Sequence, residues 1–164
     1  MEPIVESRSG LLSFLLRDPA GALVIRGREA GFPSIENMQS SLRTYDSPAF
    51  AEVDRYSRIR TRNNMAAAHM VNDELETSFD LLADAETGLT RLIESSPGPD
   101  SKLAVAMAVI KYNVCILLLQ DGSPENRELA VLNTAYADQA PRQVSDRGEN
   151  DQFRFVAAAL SGLR

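Results

Sequence analysis

Cysteine occurs once in this 164-residue chain, at Cys115, and histidine once, at His69. A single thiol forms no intramolecular disulfide and excludes a Cys-rich zinc site, so the expected setting is the cytoplasm or another reducing intracellular compartment. No phosphate-cradling loop, dinucleotide fingerprint or metal-ligand spacing is present, and no cofactor is implied. Positive charge is scarce as well: 17 Lys and Arg stand against 23 Asp and Glu, a net charge of -6. That balance argues against nucleic acid as a partner, because phosphate backbones are bound mostly by clustered cations. The deficit is local. Up to Arg62 there are 9 basic and 8 acidic residues, and from Asn63 onward 8 basic and 15 acidic.

Long uninterrupted apolar runs are also missing. The nearest, Leu103 to Leu119, is shorter than the roughly 20 residues of a membrane span and carries Lys111 and Asn113 at its middle. A central buried helix is the expected structure, and no membrane span. Near the start, the apolar run Leu11 to Leu16 follows Glu2 and Glu6 and precedes no small-residue cleavage pattern, so neither a secretory signal nor an organellar presequence is expected.

What is present is an ordinary globular composition, 44% hydrophobic and 24% charged, in a chain long enough to bury a core. Residues 1–46 read as an irregular N-terminal region, because Pro19, Gly21, Gly27, Gly31 and Pro33 interrupt each apolar run. Short helices are expected at Gly10 to Arg17 and at Ser34 to Arg43, with Ser34 as N-cap, and Ala22 to Ile25 as helix or loop. Residues 47–164 read as the helical domain. Ser47 and Pro48 suit an N-cap and first helical position, opening a helix to about Met70. Asn72-Asp73 breaks it, and Asp73 with Glu76 resembles a capping box for a second helix ending near Ser95. After the turn 95–100, helix resumes from Ser101 to Gln120, stops at Asp121-Gly122, restarts at Ser123-Pro124 and closes at Ala140-Pro141. Hairpins at 47–95 and 101–140 and a capping helix at 150–163 complete an all-α chain of about six or seven helices.

The two hairpins echo each other. NMAAAHMVND from Asn64 superposes on NVCILLLQDG from Asn113, 49 residues later. Small residues Ala66, Ser78 and Ala85 in the first hairpin stand where helices would cross closely, with Leu82 filling the gap between them. Cys115, Ala130 and Ala137 repeat that order in the second, after a turn about three residues longer.

These residues resemble the tetratricopeptide repeat, a helix-turn-helix unit with a bulky-small run and an aromatic in its first helix, a turn glycine, and small residues in its second. His69 stands at the usual tyrosine, Asp73 at the turn glycine, Ser78 and Ala85 at the two alanine positions, and Leu82 at a common aromatic. The second hairpin keeps Asn113, Gly122, Ala130 and Ala137, with Leu118 replacing the aromatic and Thr134 a large residue. The spacing of 49 exceeds the family's period of about 34. The resemblance implies antiparallel hairpins stacked as a short array and a non-catalytic module, an adaptor, assembly subunit or chaperone-like protein, that binds a protein or peptide segment in a helical groove.

In that geometry the first helices line the groove. The resemblance places Arg60, Asn63, Asn64, Ala67 and Met70 there from one hairpin, and Tyr112, Asn113, Ile116 and Leu119 from the other. Amides can bond a peptide's backbone while Met70, Ile116 and Leu119 take its side chains. The alternative is that the N-terminal segment or the last helix fills the groove and these residues are core. A carboxylate clamp of the kind some family members use lacks its counterparts, since Asn63 and Ala67 stand where Lys and Asn would be needed. Arg55, Arg58 and Arg62 share one helix face with Arg60 nearby, and a solvated face with acidic neighbours is expected there. A Cys115–His69 catalytic pair is the one enzymatic arrangement available, and a buried, inert Cys115 is expected instead. The competing class is a structural helical bundle that self-associates as a homodimer through leftover apolar surface.

Overall fold

The computed structural model describes residues 4–6, 11–14, 35–45, 47, 55–98 and 100–135, together with 156, 158, 159 and 162. Helix dominates these residues, in agreement with an all-α class, but five helices are found among them rather than six or seven. Two compact units divide the chain, 2–88 and 89–164.

In the first unit, a short antiparallel pair β1 (Ile4–Glu6) and β2 (Leu12–Phe14) precedes α1 (Ile35–Tyr45), α2 (Arg55–Val71) and most of α3 (Leu75–Glu94). Residues 11–14 therefore depart from the helix expected over Gly10 to Arg17. Leu12 and Phe14 alternate with Ser13, a period of two that buries both large side chains on one face of a strand. Pairing runs Ile4 with Phe14, Val5 with Ser13 and Glu6 with Leu12.

Helix α1 lies where expected, with Glu36 in its first turn and Arg43 in its last, both complementing the helix dipole. Ser34 and the Ala22 to Ile25 stretch fall outside the described residues. Ser47 bonds its amide back to the Thr44 carbonyl at 3.2 Å, while 48–54 lie outside the described residues, and α2 is described from Arg55. Its residues from Ile59 to Ala67 are buried with the exception of Arg62, making it the central helix of this unit, against both α1 and β2.

Asp73 does not cap α3. Its φ is +59°, its amide donates to the Met70 carbonyl at 3.1 Å, and the Glu74 amide reaches the His69 carbonyl at 3.1 Å. This pair of bonds is a Schellman ending of α2, with Asp73 in the left-handed position that usually takes glycine. The expected capping box is thus replaced by a C-terminal stop one residue before α3 begins its own turn. Because a left-handed L-residue costs roughly 1–2 kcal/mol, Asp73→Gly is expected to stabilise the protein by about 0.5–1 kcal/mol, net of the extra chain entropy of glycine. A urea denaturation midpoint that falls instead would contradict this.

α3 meets α2 through small residues. The Ser78 hydroxyl donates to the Ala66 carbonyl at 2.8 Å, and a β-carbon on Gly88 would lie 3.3 Å from Ile59 Cγ1. Ala66, Ser78, Leu82 and Ala85 are all fully buried.

The second unit holds the end of α3, α4 (Ser101–Asp121) and α5 (Pro124–Thr134). Asp100 caps α4 by accepting from the Lys102 and Leu103 amides at 2.9 and 3.4 Å, and Gly122 ends it at φ +70°. Ser123 caps α5 by accepting from the Asn126 amide at 3.2 Å, with Pro124 in the first turn. α5 is described to Thr134, and 136–140, which include Ala137, lie outside the described residues. Residues 156, 158, 159 and 162 are helical, within the stretch expected as a capping helix. α4 is long and apolar enough to cross a bilayer by length and composition, but 67% of its most apolar window is buried inside the protein, the pattern of a core helix.

Both hairpins are pinned at aligned positions. Cys115 donates its thiol hydrogen to the Ala130 carbonyl at 3.4 Å. In the alignment of Asn64 with Asn113, with three extra residues in the second turn, Cys115 corresponds to Ala66 and Ala130 to Ser78, so each crossing carries a side-chain bond to a carbonyl, with donor and acceptor helices exchanged.

Candidate functional site: an amide pair that holds an extended strand

Asn63 and Asn64 follow one another in the middle of α2, and both side chains are enclosed, at 0% and 1% exposure. Asn64 grips one residue of β2 twice: its Oδ1 accepts from the Phe14 amide at 2.8 Å and its Nδ2 donates to the Phe14 carbonyl at 2.7 Å. Asn63 Nδ2 donates to the Leu12 carbonyl at 2.9 Å. An asparagine amide has the same donor–acceptor pair as a peptide group, so Asn64 continues the β-ladder where a further strand would lie.

The strand register explains why these atoms are available. Successive residues of an antiparallel strand alternate the edge toward which their N–H and C=O point. With Leu12 and Phe14 turned toward α2, Ser13 turns toward Val5 and closes the β1–β2 ladder. The Leu12 and Phe14 side chains are buried, as is that of Leu11.

Around this clamp, Ala67 and Met70 are buried, and Arg60 is enclosed at 7% exposure. Arg60 lies over the Tyr56 ring, 4.1 Å from guanidinium carbon to ring centroid, and Nη2 donates to Ser57 Oγ at 3.1 Å. Burial pushes its guanidinium down to about 10, still far above neutrality, so it keeps its charge. Ring face and hydroxyl receive that charge. Of the other arginines on this helix, Arg55 is exposed and Arg58 and Arg62 are half-buried, and each has interactions within the protein.

The remaining candidates lie on α4 in the second unit. Asn113 is fully buried and engaged, Tyr112 and Ile116 are half-buried, and Leu119 is 38% exposed. The structure thus brings Asn63 and Asn64 together on one strand, encloses Arg60, Ala67, Met70 and Asn113, and leaves Leu119 open. Leu12 and Phe14, the residues that the amides hold, were not among the candidates drawn from the sequence. Their signal is the Leu-Ser-Phe alternation.

His69 and Cys115, the residues weighed as a catalytic pair, each have a local partner. His69 Nδ1 is paired with the Glu74 carboxylate across the turn. Burial pushes the Cys115 thiol up to about 11, against a downward pull from Lys111. Near pH 8 a thiol at that value is only about 0.1% thiolate, against roughly a quarter for an exposed thiol near 8.5. Alkylation of Cys115 at pH 8 is therefore expected to run at least about 100-fold slower in the folded protein than in guanidinium; equal rates would contradict its burial. Because folding raises this value, the stabilisation it reflects is complete below the unfolded thiol's range and fades as pH climbs toward 11. Among the described residues no group of three or more His, Cys, Asp and Glu is arranged to hold a metal ion.

The chain matches no protein-family model, and no curated protein or solved structure is significantly similar to it.

Proposed function

We propose that this chain is a non-catalytic protein-interaction module, an adaptor, assembly subunit or chaperone-like protein, that binds a peptide or protein segment in a helical groove. The observation that carries this reading is the Asn63–Asn64 pair, whose amides read the main chain of an extended strand. Main-chain recognition supplemented by apolar pockets is a general mode of peptide capture. The inert thiol of Cys115 supports the reading, as does the equivalent pinning of the two hairpins, which favours a short tetratricopeptide-like array. A reducing intracellular compartment suits the free thiol.

Selection of a random peptide library against the full chain tests this. Enriched peptides are expected to bind through α2 or the exposed part of α4, so that Asn64→Ala or Leu119→Asp weakens them at least tenfold. Enrichment of no peptide that depends on either residue would overturn the proposal.

A second reading, self-association, is favoured by α5. Leu129 and Leu132 lie three residues apart on one face and are 47% and 69% exposed. Sedimentation velocity separates the two: a concentration-independent monomer supports the peptide module, and a dimer dispersed by Leu132→Asp supports the bundle.

A further inference from the structure

We infer that the outer face of α5 is a docking surface for a helical segment of another protein, amphipathic along its length and basic at one end. This surface is distinct from the groove proposed above and stands independently of it.

α5 turns two faces in opposite directions. Ala130 and Thr134, one turn apart, are buried, and the Ala130 carbonyl accepts from Cys115 on α4. Glu125, Glu128, Leu129 and Leu132 follow the spacing i, i+3, i+4 and i+7, which places them on one stripe away from the buried pair. All four are exposed. Among the described residues, the three most exposed large apolar side chains are Leu129, Val131 and Leu132, all on this helix. Such side chains scattered singly need no explanation, but gathered on one helix they form a patch.

Charge identifies the occupant. The first half of the stripe is acidic, with Glu125 and Glu128 preceded one turn earlier by the exposed Asp121 at the end of α4, and the second half is apolar. Arg127, the one base in α5, does not share the stripe's spacing. A second copy of α5 is a poor match. Laid parallel, it sets carboxylate against carboxylate. Laid antiparallel along the stripe, it sets Glu125 and Glu128 over the copy's Leu132 and Leu129, which strips water from charges without pairing them. Sliding until only the leucines meet leaves about one helical turn of contact, far short of the roughly 1,200 Å² that a specific interface buries.

A helix with large apolar residues at one end of its own stripe and Lys or Arg at the other satisfies both halves. Antiparallel approach puts those cations in its last turn, where they also complement its dipole. An extended segment fits less well. The amides and carbonyls of α5 are bonded internally, so an extended chain lying on it finds no partners for its own main chain.

Fluorescence anisotropy with the full chain and the fluorescein-labelled helical peptide ALAQLLAQLAAKKAQK tests this. Wild type is expected to bind it at least tenfold more tightly than ALAQLLAQLAAEEAQE, in which Glu replaces each Lys. Leu132→Asp, and separately Glu125→Lys combined with Glu128→Lys, should each weaken the lysine peptide at least tenfold. Leu132→Ser replaces Leu132→Asp if circular dichroism shows lost helix. Glu76→Lys combined with Asp80→Lys on α3 should leave binding within twofold, since those exposed carboxylates continue into Ala83, Asp84 and Thr87 rather than into leucine. Equal weakening by the α3 pair would mean attraction by charge alone and overturn the inference, as would equal affinity for the two peptides or binding of neither. Two further measurements address the other occupants. A wild-type dimer in sedimentation velocity, dispersed by Leu132→Asp, would give the face to a second copy. A urea midpoint lowered by Leu132→Ala, where no change is expected, would give it to the chain's own residues. Either result overturns the inference.

Discussion

Asn64→Ala is expected to destabilise the first unit by about 3 kcal/mol and to release β2 from α2. The substitution removes both partners of Phe14, and a buried amide or carbonyl left without a partner costs about 1–3 kcal/mol each. An escape route limits the sum. If β2 lifts away, Phe14 bonds to water, but burial of the Leu12 and Phe14 side chains is lost, at about 1.5–3 kcal/mol apiece. The protein takes whichever loss is smaller, and the two are close enough that the strand should be substantially undocked. Asn64→Asp sharpens the case, because it keeps an acceptor for the Phe14 amide while setting a second oxygen against the Phe14 carbonyl and burying a charge. Urea denaturation measures both. A change below about 1 kcal/mol for Asn64→Ala would mean that these bonds contribute little beyond what water supplies.

Leu82→Ala should cost as much by a different mechanism. Leu82 is fully enclosed on α3 between the small residues Ser78 and Ala85, which are themselves fully buried. Close helix approach leaves the neighbours little room to collapse into the space of three missing carbons, and buried leucine truncations cost about 2.7–5 kcal/mol, rising with the cavity left. The adjacent Leu81 is only half-buried, so Leu81→Ala is expected to cost about 1 kcal/mol on the area scale. Chemical denaturation of the two variants side by side checks the direction of the first helical face. Similar losses for both would contradict the crossing described for α2 and α3.

Local signals explain why some of this structure could be read from residues alone. Gly122 with Ser123 and Pro124 sets the end of α4 and the start of α5, because capping and the left-handed turn involve only near neighbours. Ala66, Ser78, Leu82 and Ala85 announced a close crossing through their size pattern. Asp73 announced a break but disguised its form: an acidic residue three before Glu76 suggests an N-cap, whereas the bonds to Met70 and His69 make it the C-terminal stop of α2. The hairpin β1–β2 was illegible for a physical reason. Three-residue strands carry almost no intrinsic preference, and what fixes β2 is an asparagine 50 residues away. The amides of α2 were recognisable as groups that bond a peptide backbone, and the N-terminal segment was one candidate to cover them; that it does so followed from distance in space, which spacing along the sequence does not encode.

Three amide bonds tie β2 to α2, two of them from Asn64. Asn64 therefore carries the account. Amide hydrogen exchange at Phe14, followed by NMR in wild type and Asn64→Ala with Val109 in the buried middle of α4 as reference, tests it most directly. The expected result is protection of the Phe14 amide by about 100-fold or more in wild type, lost in Asn64→Ala while Val109 stays protected. An unprotected Phe14 amide in wild type, or protection unchanged by the substitution, would contradict the claim that α2 holds this strand through its asparagine.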